Sequence, residues 1–208
     1  MSEVKDLGIT IDNKLNFNKH IDTIIKKAKK FLGCITRIGK DFEQVATLVH
    51  LYNTLVRPIL EYGSVIWSPY YAVHINRIEA VQFSFVRHIK NIWELKGITL
   101  TTEETRRKLN IMTLQQRRIM IDLCLFYNIV NNRIDSPEIL NEIKLLVPAK
   151  ILRDNRLLEA SKDRSNFIKN GPRNRIFNTV NDYTNQLNYF GGSYSIFKKD
   201  VINILSDF

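Results

Sequence analysis

Residues 45–92 read VATLVHLYNTLVRPILEYGSVIWSPYYAVHINRIEAVQFSFVRHIKNI, and this stretch decides the fold. Its first part lacks surface charge, since no lysine or arginine occurs between Asp41 and Val56. At 3.6 residues per turn its apolar side chains form one broad arc. The members of this arc are Val45, Leu48, Val49, Tyr52, Leu55 and Val56, with Leu51 at its edge. The pattern predicts a helix that is buried on most sides.

Two prolines divide the same stretch. Pro58 lacks an amide donor and clashes with the turn before it, so we expect the helix to kink or restart there and to continue through Tyr62. Ser68-Pro69 should end it. The stretch therefore contains a second element beyond Pro69.

A second helix is predicted from about Tyr71 because apolar residues recur on one side. These residues are Ile75, Ile78, Phe85, Val86, Ile89 and Ile92, and the opposite side carries Arg77, Arg87 and Asn91. The two elements are predicted to form an antiparallel helical pair joined by a short corner at Trp67, on which other helices pack.

Composition limits the class of protein. A chain of 208 residues with 44% hydrophobic and 25% charged residues has the make-up of a soluble globular protein with one large or two small cores. The formal net charge of +10 favours a polyanionic partner, nucleic acid before a membrane surface. No run reaches the ~18 apolar residues of a membrane span, and the N-terminus lacks a signal peptide's apolar core. We therefore expect an intracellular protein, nuclear or cytoplasmic, with no membrane partner.

The N-terminal segment has the pattern of a β-strand. Val4 to Ile11 is rich in β-branched residues and predicts a strand, followed by a turn at Asp12-Asn13. A lone strand cannot form a sheet, so we expect its partner either later in the chain or upstream of it.

The cysteines, Cys34 and Cys124, lie among apolar residues and are predicted to be buried free thiols in a reducing compartment.

Phe17 to Ile38 gives the clearest helical pattern. Its apolar arc consists of Phe17, Ile21, Ile24, Ala28, Phe31, Leu32, Ile35 and Ile38, and its opposite side carries Lys19, Lys26, Lys29, Lys30 and Arg37. Residues 1–40 hold nine bases and four acids, whereas residues 41–95 hold four bases and five acids. The basic side is either a solvated helix face or a stripe that faces phosphates, whose neutralisation releases counterions and gives salt-sensitive binding.

Helix-start signals organise the middle of the chain. Thr101 to Glu104 has the form of a capping box, and the helix it begins should end near Arg106, Arg107 and Lys108, which we count as candidate nucleic-acid contacts. Thr113 to Gln116 repeats the signal for a helix to about Asn131. Ser136-Pro137 predicts a further helix over residues 138–146.

The last quarter is less regular and more basic. Beyond Pro148 the apolar periodicity fades and lysines and arginines recur as far as Arg175. Helices are predicted again over residues 174–187 and 195–205, separated by Gly191-Gly192.

Motifs of common enzymes are absent from the sequence. The four histidines have no metal-ligand partners at useful spacing, and no phosphate-loop, hydrolase or dinucleotide signature occurs. No aspartate pair lies in a strand-turn-strand context that could hold two magnesium ions. Glu103 and Glu104 are explained as helix-start residues.

Polar and aromatic side chains in the central stretch have competing roles. Gln82 lies in an apolar helix face, where we expect a buried amide bonded to a neighbouring backbone rather than a ligand contact. Trp67, Tyr70 and Tyr71 at the corner could stack on bases or close the core, and we favour the core.

Several segments together resemble a known family. The runs are YNTLVRPILEYGSVIWSP (52–69), RIEAVQFSFVRHI (77–89), LGITIDNKLNFNKHI (7–21), LQQRRIMIDLCLFYNIVNNRIDSPEIL (114–140) and NGPRNRIFNTVNDY (170–183). They resemble the region downstream of the catalytic palm in reverse transcriptases of non-LTR retrotransposons, in particular the jockey-like elements. The family's palm motif, an aromatic residue followed by Ala-Asp-Asp, has no match in this sequence.

The resemblance implies a thumb-like region of an RNA-directed DNA polymerase without its active centre. No cofactor is then expected, since magnesium would belong to the missing palm, and this chain alone is expected not to be an enzyme. The implied partner is RNA, DNA or a hybrid template-primer duplex. The rival interpretation is a stand-alone helical interaction module in which the basic faces only confer solubility.

The predicted fold class is mainly α, a helical bundle with a short N-terminal strand and a less regular basic C-terminal part. Residues 1–15 form a strand and turn, residues 16–147 a helical thumb-like domain, and residues 148–208 a basic extension with one or two helices.

Overall fold

A computed structural model describes residues 3–39, 42, 44–146, 156–159 and 166–206. It divides into two compact units, residues 1–117 and 118–208, and each unit is described by itself. The structure is mainly helical with one two-stranded sheet among the described residues, which confirms the predicted fold class. The predicted domain boundary after residue 147 falls outside the described residues and stays a prediction.

The N-terminal segment forms a hairpin rather than one strand. Strands β1 (Val4–Asp6) and β2 (Ile9–Ile11) pair antiparallel, with Lys5 opposite Thr10. The turn residues Leu7 and Gly8 have φ angles of 44° and 86°, as a two-residue hairpin turn requires. The expectation of a distant partner strand is wrong, because β1 pairs with β2, which follows it directly. The sequence does not indicate this turn, since a leucine in the left-handed region is uncommon.

Helix α1 (Asn18–Ile38) has nearly the predicted bounds, and most of the residues that were predicted to be buried are buried. Before it, the Asp12 carboxylate accepts hydrogen bonds from the amides of Lys14 and Phe17 at 2.9 and 3.0 Å. The buried residues are His20, Ile21, Ile24, Ile25, Ala28, Leu32 and Ile35. Phe31 and Ile38 were predicted to be inside but are exposed, because both lie at the margin of the arc. Cys34, on the same helix, is also exposed, which corrects its predicted burial; it and Cys124 are free, and Cys124 is buried.

The central apolar helix is interrupted before Pro58. It consists of α2 (Val45–Leu51), a π-helical turn (Tyr52–Val56) and α3 (Arg57–Glu61). The Arg57 amide donates to the Tyr52 carbonyl, which widens the turn by one residue just before Pro58, near the start of the next helix. The predicted restart is confirmed.

The widened turn changes which side chains face the core. Tyr52, Val56 and Leu60 are buried in a row. Leu55 is 42% exposed, so its predicted burial is wrong. The inserted residue shifts the pattern by roughly 100° relative to a regular helix, and this rotation turns Leu55 toward solvent.

A close approach fixes the corner before the next long helix. Helix α4 (Ser64–Trp67) follows Gly63, whose φ is 64° and whose missing Cβ would lie 2.6 Å from Ile9 Cδ1. Trp67 is buried, and its Nε1 donates to the Tyr62 carbonyl at 2.7 Å. For Trp67 the structure therefore confirms the core role.

Helix α5 (Ala72–Leu95) contributes the centre of the first core. The predicted inner residues Ile78, Phe85, Val86 and Ile89 are buried, and Arg77, Arg87 and Asn91 are exposed. The Tyr52 ring stacks on the Phe85 ring with centroids 4.4 Å apart. Gln82 Nε2 donates to the Met112 carbonyl and Gln82 Oε1 accepts the Tyr52 hydroxyl, both at 2.9 Å, so the predicted buried amide is confirmed.

The starts of two helices complete the first unit, and each is fixed by a reciprocal pair of capping hydrogen bonds. Helix α6 (Thr102–Lys108) has both hydrogen bonds of the predicted capping box between Thr101 and Glu104. Helix α7 (Leu114–Val130) has the same reciprocal pair between Thr113 and Gln116, at 2.9 and 3.1 Å. Glu79 also holds this helix start, since its carboxylate accepts the amides of residues 114 and 115. The division into units falls inside α7.

The second unit is built on the rest of α7. Its further helices are α8 (Pro137–Glu142), α9 (Asn166–Asn170), α10 (Pro172–Asp182) and α11 (Tyr194–Ser206). The prediction carried α8 to Leu146, but Ile143 has an extended backbone and Leu145 forms a β-bridge with Leu158. Its core includes Phe126, Tyr127, Phe177, Tyr189 and Phe197. Of the predicted basic extension, residues 150, 153, 162 and 164 lie outside the described residues.

Candidate nucleic-acid interface

The outer face of α1 presents a row of cations. At 100° per residue, Lys19, Lys26, Lys30 and Arg37 lie within about 40° of one another, opposite the buried arc, and Lys29 flanks them. All five side chains belong to exposed residues. At 1.5 Å per residue the row from Lys19 to Arg37 is roughly 27 Å long. The periodicity of the sequence thus predicted the members of this face.

Few neighbouring groups neutralise these cations. Lys19 pairs with Glu3, and Arg37 Nε donates to the Gly33 carbonyl at 3.2 Å. Within the described part of the chain no ion pair or hydrogen bond involves the ammonium groups of the other three lysines. The single acid on α1, Asp22, pairs with Arg77 of α5. Because exposed ion pairs contribute little, this face remains open to a polyanion.

The three cations at the end of α6 differ in exposure. The Arg106 side chain is only 8% exposed, and it donates to Glu103 at 2.9 and 2.5 Å and to the Ile111 carbonyl at 2.5 Å. This hydrogen bonding holds the pKa of Glu103 down to about 2. Arg106 therefore serves the fold, and its burial argues against direct contact with a phosphate.

Arg107 and Lys108 lie outside this buried pair. Arg107 is exposed, with its Nε 3.2 Å from Glu103. Lys108 Nζ lies 5.1 Å from the centre of the Trp93 ring, a cation–π contact at the surface. The candidate residues accordingly form two groups, a long row on α1 and a pair at the end of α6.

An aromatic cluster, in which Tyr71 is exposed and Tyr70 and His74 are half-buried, precedes and begins α5. Tyr70 and Tyr71 have ring centroids 4.2 Å apart, and the His74 ring lies 6.3 Å from that of Tyr71. Tyr71 is 49% exposed, so the core role favoured for it is wrong. His74 and Arg77 were not predicted as site residues; their spacing of three residues on one helix is the signal that could have placed them together.

A cavity of about 580 Å³ lies between the hairpin, α1 and α3. Lys5, Lys27 and Tyr62 are among its lining residues. His20 also lines it but has a structural role, because its Nδ1 accepts the Thr10 amide at 3.4 Å and its ring packs edgewise on Trp67. Burial lowers the pKa of His20, which keeps the ring neutral as this acceptor role requires.

Metal sites and membrane spans are both absent from the described residues. No group of three or more histidine, cysteine, aspartate or glutamate side chains is arranged to hold a metal ion there. No helix in that part of the chain combines the length and apolarity needed to cross a membrane.

Two known proteins are similar to this chain. An uncharacterised protein of Caenorhabditis elegans is 28% identical over 142 residues, which cover 66% of this chain and 68% of that protein. A probable RNA-directed DNA polymerase from the transposon X-element of Drosophila melanogaster is 30% identical over 102 residues, 46% of this chain. The chain spans only 11% of that polymerase. No family model and no solved structure matches the chain.

Proposed function

We propose that this chain is a non-catalytic helical module, derived from a retrotransposon reverse transcriptase, that binds the sugar-phosphate backbone of nucleic acid through the outer face of α1. The observation that carries the proposal is the row of exposed cations on that face, with its single acid already paired to Arg77. The similarity to part of a transposon polymerase supports the derived origin.

Binding of this kind is independent of base sequence. Lysine and arginine side chains on a straight helix face contact phosphate oxygens, which position a protein on nucleic acid but do not read bases. The partner is RNA, DNA or a hybrid template-primer duplex, held by a thumb-like domain for a polymerase encoded elsewhere. No cofactor is required, and the module acts in the nucleus or the cytoplasm, where such nucleic acids occur.

A charge-removal series tests the proposal. Changing Lys26, Lys29 and Lys30 together to glutamine should weaken binding to any duplex by a similar factor. The salt slope should fall by about one unit for each phosphate that is no longer neutralised. Fluorescence anisotropy over a series of salt concentrations measures both quantities. The melting temperature should barely move, because exposed substitutions typically cost under ~0.5 kcal/mol.

The matched control removes three exposed lysines from the second unit. Lys169, Lys198 and Lys199 changed to glutamine give the same change in net charge at a different place. We expect a smaller effect on the salt slope from this control. If the α1 variant melts normally and keeps an unaltered slope, the row is a solvated face and the chain is better described as a helical interaction module.

The absence of catalysis is a separate prediction. Two-metal phosphoryl transfer needs clustered carboxylates, and the sequence offers no aspartate pair in a suitable context. The purified chain should therefore not extend a primer in the presence of magnesium. Magnesium-dependent extension that is abolished by replacing a single acid of this chain would contradict the prediction.

A further inference from the structure

The aromatic cluster of Tyr70, Tyr71 and His74 is the second unusual surface of the first unit. Tyr71 and its neighbour Val73 are both exposed and place two large side chains next to each other on the surface. The two tyrosine rings are tilted by 40° at a centroid distance of 4.2 Å. Of the two, Tyr71 is exposed and Tyr70 is half-buried, and an exposed aromatic ring can stack with a further ring.

Internal contacts connect the members of this cluster. The Tyr70 side chain shares a hydrogen bond with Tyr71, which raises the pKa of Tyr70 above its ordinary value. The His74 ring meets Tyr71 edge to face, and His74 Nδ1 lies 3.5 Å from Arg77 Nη1. The four side chains thus form one connected group at the start of α5.

The surroundings of the cluster are cationic. Arg77, one turn after His74, reaches across to Asp22 of α1. On α1, Lys19 lies one turn before Asp22 and Lys26 one turn after it. The aromatic surface therefore stands beside the basic row of α1, connected to it by the Arg77–Asp22 pair.

We propose that Tyr70, Tyr71 and His74 form a stacking site for an unpaired nucleobase whose flanking phosphates lie on the α1 row. A base inside a duplex has both faces covered by its neighbours, so an exposed protein ring stacks on unpaired bases. This inference rests on the proposed function, and it adds a preference for strands with unpaired bases. It predicts no base specificity, because every base has an aromatic face.

The charge distribution favours this ligand over a peptide. Exposed aromatic rings also bind proline-rich segments, whose recognition needs no flanking cations. Here the Arg77 charge is shared with Asp22 and the Lys19 charge with Glu3, so Lys26 and the rest of the α1 row are the cations that attract phosphates. A nucleic-acid strand satisfies both the rings and the cations.

The test compares two oligonucleotides with equal numbers of phosphates, one with normal bases and one with abasic residues. The wild-type chain should bind the base-containing strand about five- to tenfold more tightly in anisotropy measurements. Tyr71→Ala should remove most of this difference, whereas Tyr71→Phe should keep it. Phe190→Ala, which removes an exposed ring of the second unit, should also keep it. Melting temperatures of all variants verify that they are folded.

The outcomes separate the two proposals. Equal affinity of the wild-type chain for both strands, with the salt slope still dependent on the α1 lysines, would overturn the stacking site and leave backbone binding intact. No binding to either strand at low salt would overturn both. A complex with a proline-rich peptide that needs Tyr71, together with equal affinity for the two strands, would assign the cluster to protein recognition and overturn the stacking site.

Discussion

Replacing Tyr52 with alanine is expected to lower the free energy of unfolding by about 3–5 kcal/mol. The side chain has no exposed surface, and its ring stacks on Phe85 with an interplanar angle of 9°. Its hydroxyl donates to Gln82, and burial raises the pKa of this hydroxyl above its ordinary value. Alanine leaves a cavity and also a buried amide oxygen without its donor. Urea denaturation followed by circular dichroism measures the decrease.

Two variants separate the causes of this decrease. Tyr52→Phe keeps the stacked ring and removes only the hydroxyl, so we expect stability to fall by about 1–3 kcal/mol. Leu55→Ala lies three residues away on the exposed side of the π-helical turn and should change stability by no more than ~0.5 kcal/mol. A Leu55→Ala effect as large as that of Tyr52→Ala would mean that the regular helical period continues through the turn.

Tyr52 and Leu55 show where the apolar periodicity of the sequence no longer predicts which side chains are buried. The long helices α1, α5 and α7 could be predicted because their apolar spacing is regular, and α5 and α7 also have start signals, the Ser68-Pro69 corner and the Thr113–Gln116 capping pair. The π-helical turn could not, because Pro58 acts on the backbone of the preceding turn, and the resulting rotation depends on which carbonyl the Arg57 amide reaches. The Leu7-Gly8 turn was missed for a similar reason, since a positive φ at leucine is decided by the strands on either side.

In the candidate site, too, some features could be predicted from the sequence and others could not. Exposure of the α1 lysines follows from the helix period alone, so the sequence predicted it. Burial of Arg106 depends on the Ile111 carbonyl, which the turn after α6 brings back over the guanidinium. The position of the aromatic cluster beside α1 follows from the packing of α5 on α1, where Arg77 meets Asp22, 55 residues away. Contacts of this range are decided by packing and leave no local pattern.

Replacing Arg175 with glutamine is expected to destabilise the second unit by about 3–5 kcal/mol at pH 7, because it leaves a buried carboxylate without its main counterion. Asp122 of α7 is buried, and its two oxygens accept from Arg175 at 2.8 and 3.1 Å. Burial raises the pKa of Asp122, and Arg175 and Arg118 offset this only in part. Thermal and urea unfolding monitored over a pH series measure the effect.

The pKa of Asp122 determines the direction in which the stability loss of Arg175→Gln changes with pH. Because the pKa of Asp122 is higher in the folded than in the unfolded chain, its contribution to stability is complete below the unfolded value and is lost as the pH rises through the folded one. Removing Arg175 raises the folded pKa further, so the deficit of Arg175→Gln should shrink as the pH falls toward about 4.

Two controls isolate the buried charge as the cause. Asp122→Asn combined with Arg175→Gln removes both charges and should recover much of the stability, because no buried ion is then left unpaired. Arg173→Gln, on the same helix, removes an exposed ion pair with Glu142 and a cation–π contact with Phe177, and should cost no more than about 1 kcal/mol. A deficit of Arg175→Gln that is independent of pH, and that the double variant does not reduce, would show that Arg175 stabilises the unit by packing rather than by its charge.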